Sequence, residues 1–374
     1  MKVKLGDIAR ERRETLRGDK NGIPVVGLEH LVSGELTLDS WDVDGENTFT
    51  KTFKKGQMLF GRRRAYLKKA VIAPFDGICS GDITVIEADG EKLLPDLLPF
   101  IIQNEAFFDY AVGKSAGSLS PRAKWEHLRN FEISLPNIAE QRKLAELFWA
   151  ANQARGAYKK LLVATDDLVK SQFVEMFGDV FHGSEKFKKQ CVATLIDDSI
   201  LKVYRVYDAK DIIKYIDISS IDNKHNEITQ YTDYTVENAP SRAQQVVREG
   251  DILISTVRPN LKNVAIIRDS YENLVASTGF CVLRPTVMTN SEYLFAIVRT
   301  DSFADYLARR AKGANYPAVN GSDIKEFALP VPPIEAQNRF ADFVRAADKS
   351  KFELQRTLDE LEATYKALLR EKLG

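Results

Sequence analysis

Apolar residues recur at alternating steps of four and three near the end of the chain: Phe340, Val344, Ala347, Lys351, Leu354, Leu358, Leu361, Tyr365, Leu368. The same rhythm occurs 196 residues upstream, through Leu144, Phe148, Ala151, Arg155, Tyr158, Leu162, Thr165, Val169 and Gln172. A mean spacing of 3.5 is that of a coiled-coil seam. It predicts two long helices, each of roughly 40 residues and hence about 60 Å long. Proline lacks an N–H and disfavours helix in the residue before it, so Pro136, Pro332 and Pro333 mark where the helices begin. Both seams carry a cation at the same core position, Arg155 and Lys351. A single polar core residue can fix register at some cost in stability.

The shift of 196 extends beyond the seams. Phe107, Asp109, Tyr110, Gly117, Pro121, Phe131, Pro136, Ile138 and Gln141 fall on Phe303, Asp305, Tyr306, Gly313, Pro317, Phe327, Pro332, Ile334 and Gln337. Upstream, at a shift of 194, KKGQMLFGRRRAYLKK parallels REGDILISTVRPNLKN, with Gly56 on Gly250, Arg64 on Arg258 and Lys68 on Lys262. A period this long means duplication of a whole domain rather than a solenoid. The order expected is a first domain at 1–136, a helix at 137–178, a second domain at 179–332 and a helix at 333–374. Short β-rich runs (QVVREGDILIS, NVAII, GFCVLRP) broken by turn residues, then a helical stretch, give each domain a mixed α/β (α+β) character. FGDVFHGSEKF, at 177–187, reads as a linker.

Composition narrows the function. Lys+Arg and Asp+Glu are equal at 53 each, which argues against a general polyanion binder but permits basic residues gathered on one face. Cys79, Cys191 and Cys281 are far apart with no CxxC pair, which fits a reducing cytoplasm and no thiolate zinc site. No apolar run suggests a signal peptide or a membrane span. Catalytic constellations are missing. There is no phosphate-loop motif and no HExxH; the four histidines are scattered with no framing carboxylate pattern. Val331-Pro332-Pro333-Ile334 lacks the polar acceptor and the aromatic ring of an adenine methyltransferase motif. The expectation is a non-catalytic chain without a metal site.

Residues 51–70 concentrate eight cations and no acid: Lys51, Lys54, Lys55, Arg62, Arg63, Arg64, Lys68 and Lys69. Lys and Arg neutralise phosphates, and Arg can bond guanine bidentately. The second copy offers Arg258, Asn260 and Lys262, with Asn a natural adenine reader. Glycine-rich turns (GKSAGSLSPRAKW and AKGANYPAVNGSD) add Lys114, Arg122 and Lys124 in the first copy and Lys312, Asn315 and Tyr316 in the second. Small residues there let backbone N–H groups approach phosphates.

Two such domains, each closed by G…P…F…LP-x-I-x-x-Q and a long helix, resemble the specificity subunit of Type I restriction-modification enzymes. QMLFGRRR departs from the more typical DILISTVRP of the second copy. The resemblance implies two tandem target recognition domains, each reading half of a bipartite asymmetric site in double-stranded DNA. It implies two helices packed as an antiparallel, pseudo-two-fold coiled-coil spacer, with Leu144, Phe148, Tyr158, Leu162, Val344, Leu354, Leu358, Leu361 and Tyr365 in the seam. Two methyltransferase (modification) subunits would dock on the helices and bring S-adenosylmethionine, restriction subunits would join, and the complex would be cytoplasmic and prokaryotic. Two alternatives stay open: a specificity subunit of a Type IIB-like methylation system, and a coiled-coil scaffold that binds no nucleic acid.

Overall fold

The computed structural model describes residues 2–43, 47–117, 119–178, 187–313 and 316–373. The chain divides into two compact units, residues 1–161 with 354–374, and residues 162–353. The divisions fall inside the two long helices, Ile138–Phe177 and Ile334–Leu373. Each unit therefore holds one recognition-type domain and a stretch of both helices.

In the first unit, one antiparallel sheet has the strand order Ala9–Arg12, Ile83–Ala88, Met58–Gly61, Ala70–Ile72. A second sheet runs Asp42–Val43, Pro24–Val26, Gly77–Cys79, Lys51–Phe53, with one parallel pair in its centre. The second unit repeats the plan. Val264–Ile266, Ile252–Ser255 and Phe280–Leu283 form an antiparallel sheet. Thr232–Thr235, Ile212–Ile216, Leu274–Ser277 and Ala243–Val246 form the other, again with a single parallel pair in the middle. A short antiparallel ladder leads into each long helix, Lys2–Lys4 on Glu132–Ser134 and Lys189–Cys191 on Ala328–Pro330.

The repeated glutamine of the LP-x-I-x-x-Q stretch now has a physical reason. Gln141 and Gln337 are fully buried at 1% and 0% exposure. Gln141 accepts the Leu94 N–H at 3.0 Å and donates to Lys92 O and Pro136 O. Gln337 likewise accepts the Asn290 N–H at 2.9 Å and donates to Pro332 O. Each side chain satisfies backbone groups that would otherwise be buried without partners, a loss worth about 1–3 kcal/mol. It ties the helix start to its own domain.

The two helices run antiparallel within each unit. In the first, Phe148 meets Tyr365 edge-on at 5.9 Å and Arg155 meets Glu362 at 3.1 Å. In the second, Lys351 meets Asp166 at 2.8 Å and Phe340 meets Phe173 at 5.4 Å. Every heptad core position is buried or half-buried. The two core cations are thus paired with acids that themselves stand 196 residues apart, so each unit carries the same cross-seam ion pair. One slip of register would separate both partners.

The heptad reading needs one correction. It ends the seams on Gln172 and Leu368, both only half-buried. Beyond Val169 and Tyr365 the buried positions instead advance by four, to Phe173 and Phe177 in one helix and to Leu369 and Leu373 in the other. Steps of four keep to one face of a 3.6-residue helix, which is what packing on a globular core requires. Phe173 and Phe177 lie on Tyr293 in the second unit. Leu369 and Leu373 join the first unit's core with Phe100, Phe107 and Phe108.

Candidate nucleic-acid interface

The basic turn of the first unit joins two antiparallel strands, Met58–Gly61 and Ala70–Ile72, through one 3-10 turn at Ala65–Leu67. Its flanking residues, Arg64 and Lys68, adopt left-handed backbone with φ of 54° and 49°. The second unit places Arg258 and Lys262, each at φ 51°, around the turn Pro259–Leu261. These four make up all but one of the five non-glycine residues with positive φ among the described residues. Left-handed backbone at a side chain with a Cβ costs of order 1–3 kcal/mol and persists only where surrounding structure enforces it. The chain spends that strain twice, at the same pair of basic residues.

The enforcement comes from the glycine-rich turns. Arg64 N donates to Pro121 O at 2.8 Å and Ala123 N to Arg62 O at 2.9 Å. Ala116 and Arg122 close the glycine-rich turn by bonding to each other, and Arg122 also bridges Arg63. In the second unit Arg258 N donates to Pro317 O at 2.7 Å, Val319 N donates to Thr256 O, and Lys312 pairs with Ala318. Gly117 and Gly313 make the closure possible. Their φ values are 119° and 106°, and a Cβ would meet Ser120 O at 3.3 Å and Tyr316 O at 2.9 Å. The two basic segments singled out separately in each copy are thus one continuous surface.

In the first unit the eight-cation run is divided. Lys51 donates to Glu11 and Ile83 O, and Lys69 to Leu28 O, so both serve the fold. Lys54 and Lys55 precede the strand Met58–Gly61, whereas Arg62, Arg63 and Arg64 follow it. Arg64 is exposed. Arg63 donates to Ser120 Oγ at 3.0 Å, and its Nη1 lies 3.6 Å from Asp82. Arg122 grips Asp82 with Nε at 2.8 Å and Nη2 at 3.3 Å. That hydrogen bond, with the positive charge of Arg122, Arg62 and Arg63, holds the Asp82 carboxyl below the usual carboxylate range. Beside it a polar cleft of about 440 Å³ is lined by Phe49, Thr50, Arg62, Ser80, Asp82 and Arg122. Arg62 Nε is buried with no hydrogen-bond partner among the described residues. Lys68 faces elsewhere, into a cavity of about 180 Å³ with Gln103, Glu105, Tyr365 and Lys366. Lys114, over the Tyr110 ring at 5.7 Å, and exposed Lys124 flank the paired turns without bonding to them.

In the second unit Arg258 stacks over the exposed ring of Tyr316 at 4.8 Å, and Asn260 is exposed at the tip. Lys262 is ion-paired with Asp301, which holds that carboxyl low. Lys312 is exposed beside Gly313; Asn315 lies outside the described residues. Sequence reasoning passed over Asp82, Ser120 and Asp301, because lone polar residues in ordinary turns carry no spacing signal. It also left the histidines unframed. The fold supplies carboxylates: His225 Nδ1 lies 2.6 Å from Asp222, and Glu29, His30 and Asp42 bring ligand atoms within 4.8 Å of one another. Gly27 N donates to His30 Nδ1, leaving Nε2 toward Asp42 at 3.7 Å; such a trio could hold a divalent ion.

The chain has counterparts among known proteins. A family described as the Type I restriction modification DNA specificity domain matches residues 179–363. Over those residues, about half of its length, the chain belongs to that family of Type I restriction-modification specificity domains. The HindI specificity subunit of Haemophilus influenzae is 23% identical over 179 residues, 47% of this chain and 39% of its own length. This chain thus spans well under two thirds of that relative. The MjaVIII specificity subunit of Methanocaldococcus jannaschii is 20% identical over 87% of this chain and 75% of its own length. A solved Type I S subunit from M. genitalium has the same fold, with a TM-score of 0.60 at 12% identity, covering 100% of this chain and 96% of that one. Among the described residues no helix is long and apolar enough to cross a membrane.

Proposed function

We propose that this specificity subunit recognises double-stranded DNA, each unit reading one half of a bipartite, asymmetric site through its paired turns. The observation that carries the reading is the repeated left-handed arginine, Arg64 and Arg258, exposed in both units and braced in each by a proline carbonyl of the glycine-rich turn. A backbone held this way presents basic side chains at fixed positions, and the varied side chains around it suit two different half-sites. The helices would set the gap between the half-sites.

Partners follow the same logic. A second apolar stripe lies on the outer face of the first long helix, at Leu147, Ala150, Ala154, Ala157 and Leu161, with both leucines about half exposed at 48% and 50%. Its three–four spacing suits a partner helix. The second long helix has Phe343, Ala346, Ser350, Glu353 and Thr357 at those positions. Methyltransferase subunits would dock on the helices and supply S-adenosylmethionine and catalysis, with restriction subunits completing the complex; this chain supplies the address.

Filter binding of the chain with its methyltransferase partner to duplex DNA, followed by a salt titration, tests the reading. Affinity should fall steeply and linearly in log–log form as salt rises. Absence of binding at every salt concentration would refute it.

A further inference from the structure

One residue on the DNA-reading surface has the wrong sign for it. Asp82 sits among Arg62, Arg63 and Arg122, with only 18% of its side chain exposed. Its neighbours are arranged around it. Arg62 N donates to Asp82 O at 3.0 Å, while the Arg122 backbone is bonded to Ala116 in both directions and Ala123 N bonds back to Arg62 O. Backbone and side chain of Arg122 are therefore both fixed before any ligand arrives.

The direction of the fork matters. A guanidinium has five N–H donors. Asp82 takes the Nε–H and one of the two on Nη2. Three remain, two on Nη1 and one on Nη2, and 44% of the Arg122 side chain is exposed. Two of them, one on each Nη, form the end-on edge of the guanidinium, the edge that matches O6 and N7 of guanine in the major groove. The second unit lacks both partners. Thr256 N donates to Gly279 O where Arg62 donates to Asp82 O, and Ala318 closes the glycine-rich turn where Arg122 does.

We propose that Asp82 is a positioning residue that aims Arg122 end-on at a guanine, making the pair a specificity determinant of the half-site read by the first unit alone. The inference rests on the DNA-reading function proposed above and names a base and the residues that select it. An unbuttressed arginine would sample several rotamers and reach a phosphate as readily as a base. Held on its Nε side, it keeps one geometry and loses little entropy on binding.

The test is methylation profiling of a randomised duplex library by the complex of this chain with its methyltransferase partner. Wild type is compared with D82A, D82N, R122A and R122K. D82A, R122A and R122K should each relax discrimination at the same single G·C pair of one half-site. The loss should be about 5- to 150-fold, with all other positions and the second half-site intact. D82N, which keeps one acceptor, should fall between wild type and D82A. A uniform loss over all sequences with a shallower salt dependence would make Arg122 a phosphate contact and overturn the proposal. Unchanged specificity in D82A would overturn it too. Should D82A fail to fold, seen as loss of both half-sites, R122A and R122K decide the matter. A wild-type complex that selects no sequence would instead refute the DNA-reading function itself.

Discussion

The basic turns of the two units share a backbone and differ in what their side chains hold. Both carry a left-handed Arg/Lys pair, both are braced by a proline carbonyl, and both rest on a positive-φ glycine. Around that frame the first unit builds an arginine cluster on Asp82, whereas the second stacks Arg258 on Tyr316 and pairs Lys262 with Asp301. The strained backbone is thus common to both turns, and the side-chain chemistry around it is what varies. The seams teach the converse. There an ion pair stands at the same seam position in both units, Arg155–Glu362 and Lys351–Asp166, with the same arrangement of charge and a different burial.

That difference in burial gives the largest expected effect. The Arg155 side chain is 11% exposed and lies over the Tyr365 ring at 5.2 Å, while Lys351 is 25% exposed and faces an Asp166 that is 45% exposed. Arg155→Ala should cost about 3 kcal/mol, since it removes a buried side chain packed on Tyr365 and leaves Glu362 only the more distant Lys159, and Lys351→Ala about 1 kcal/mol or less. Urea unfolding midpoints compare them; equal losses would erase the distinction between the seams.

Arg64→Ala and Arg258→Ala probe the turns directly. Each should weaken DNA binding by about 1–3 kcal/mol, and each should affect a different half-site. Binding to duplexes altered in one half at a time reads this out, and losses falling on the same half would break the assignment of one half to each unit. Gly117→Ala and Gly313→Ala sharpen the comparison of the frames. The second meets a carbonyl at 2.9 Å against 3.3 Å for the first, so it should destabilise more, about 2 against about 1 kcal/mol in thermal unfolding. The smallest effect is expected from Tyr316→Ala. Removing the ring under Arg258 should cost about 0.5–1 kcal/mol of DNA affinity, with no change in the half-site of the first unit.

Much of this was legible in the chain. The duplication, the mixed α/β domains and the two long helices follow from identities in one register and from a 3.5-residue rhythm, because buried positions and turn glycines leave periodic traces; the antiparallel packing of the helices was implied by the family resemblance alone. The far end of each seam was less so. Gln172 and Leu368 satisfy a strict heptad, and only contact with Tyr293 on one side and Phe100 on the other selects Phe173 and Leu369 instead. The braced turns were visible as parts but not as a whole. Arg64 and Pro121 are joined by one backbone bond across 57 residues, and no local pattern encodes it. The run at 51–70 also overstated its face, since a lysine such as Lys51, bonded to Glu11 and a strand carbonyl, looks the same in sequence as one that meets a phosphate.

The seams also set an order of events during synthesis. The second unit is one continuous stretch, residues 162–353, and has all its own parts once residue 353 is made. The first is not: its core includes Tyr365, Leu369 and Leu373, and Asn104 Nδ2 donates to Leu369 O at 3.0 Å. Domains commonly fold as they emerge, the N-terminal one first. Here the earlier-made domain must wait, holding Phe100 and Phe148 without their final neighbours, until the last turns of the second long helix arrive. A released chain ending at residue 353 should therefore show a protease-resistant second unit beside a first unit that is still open to cleavage.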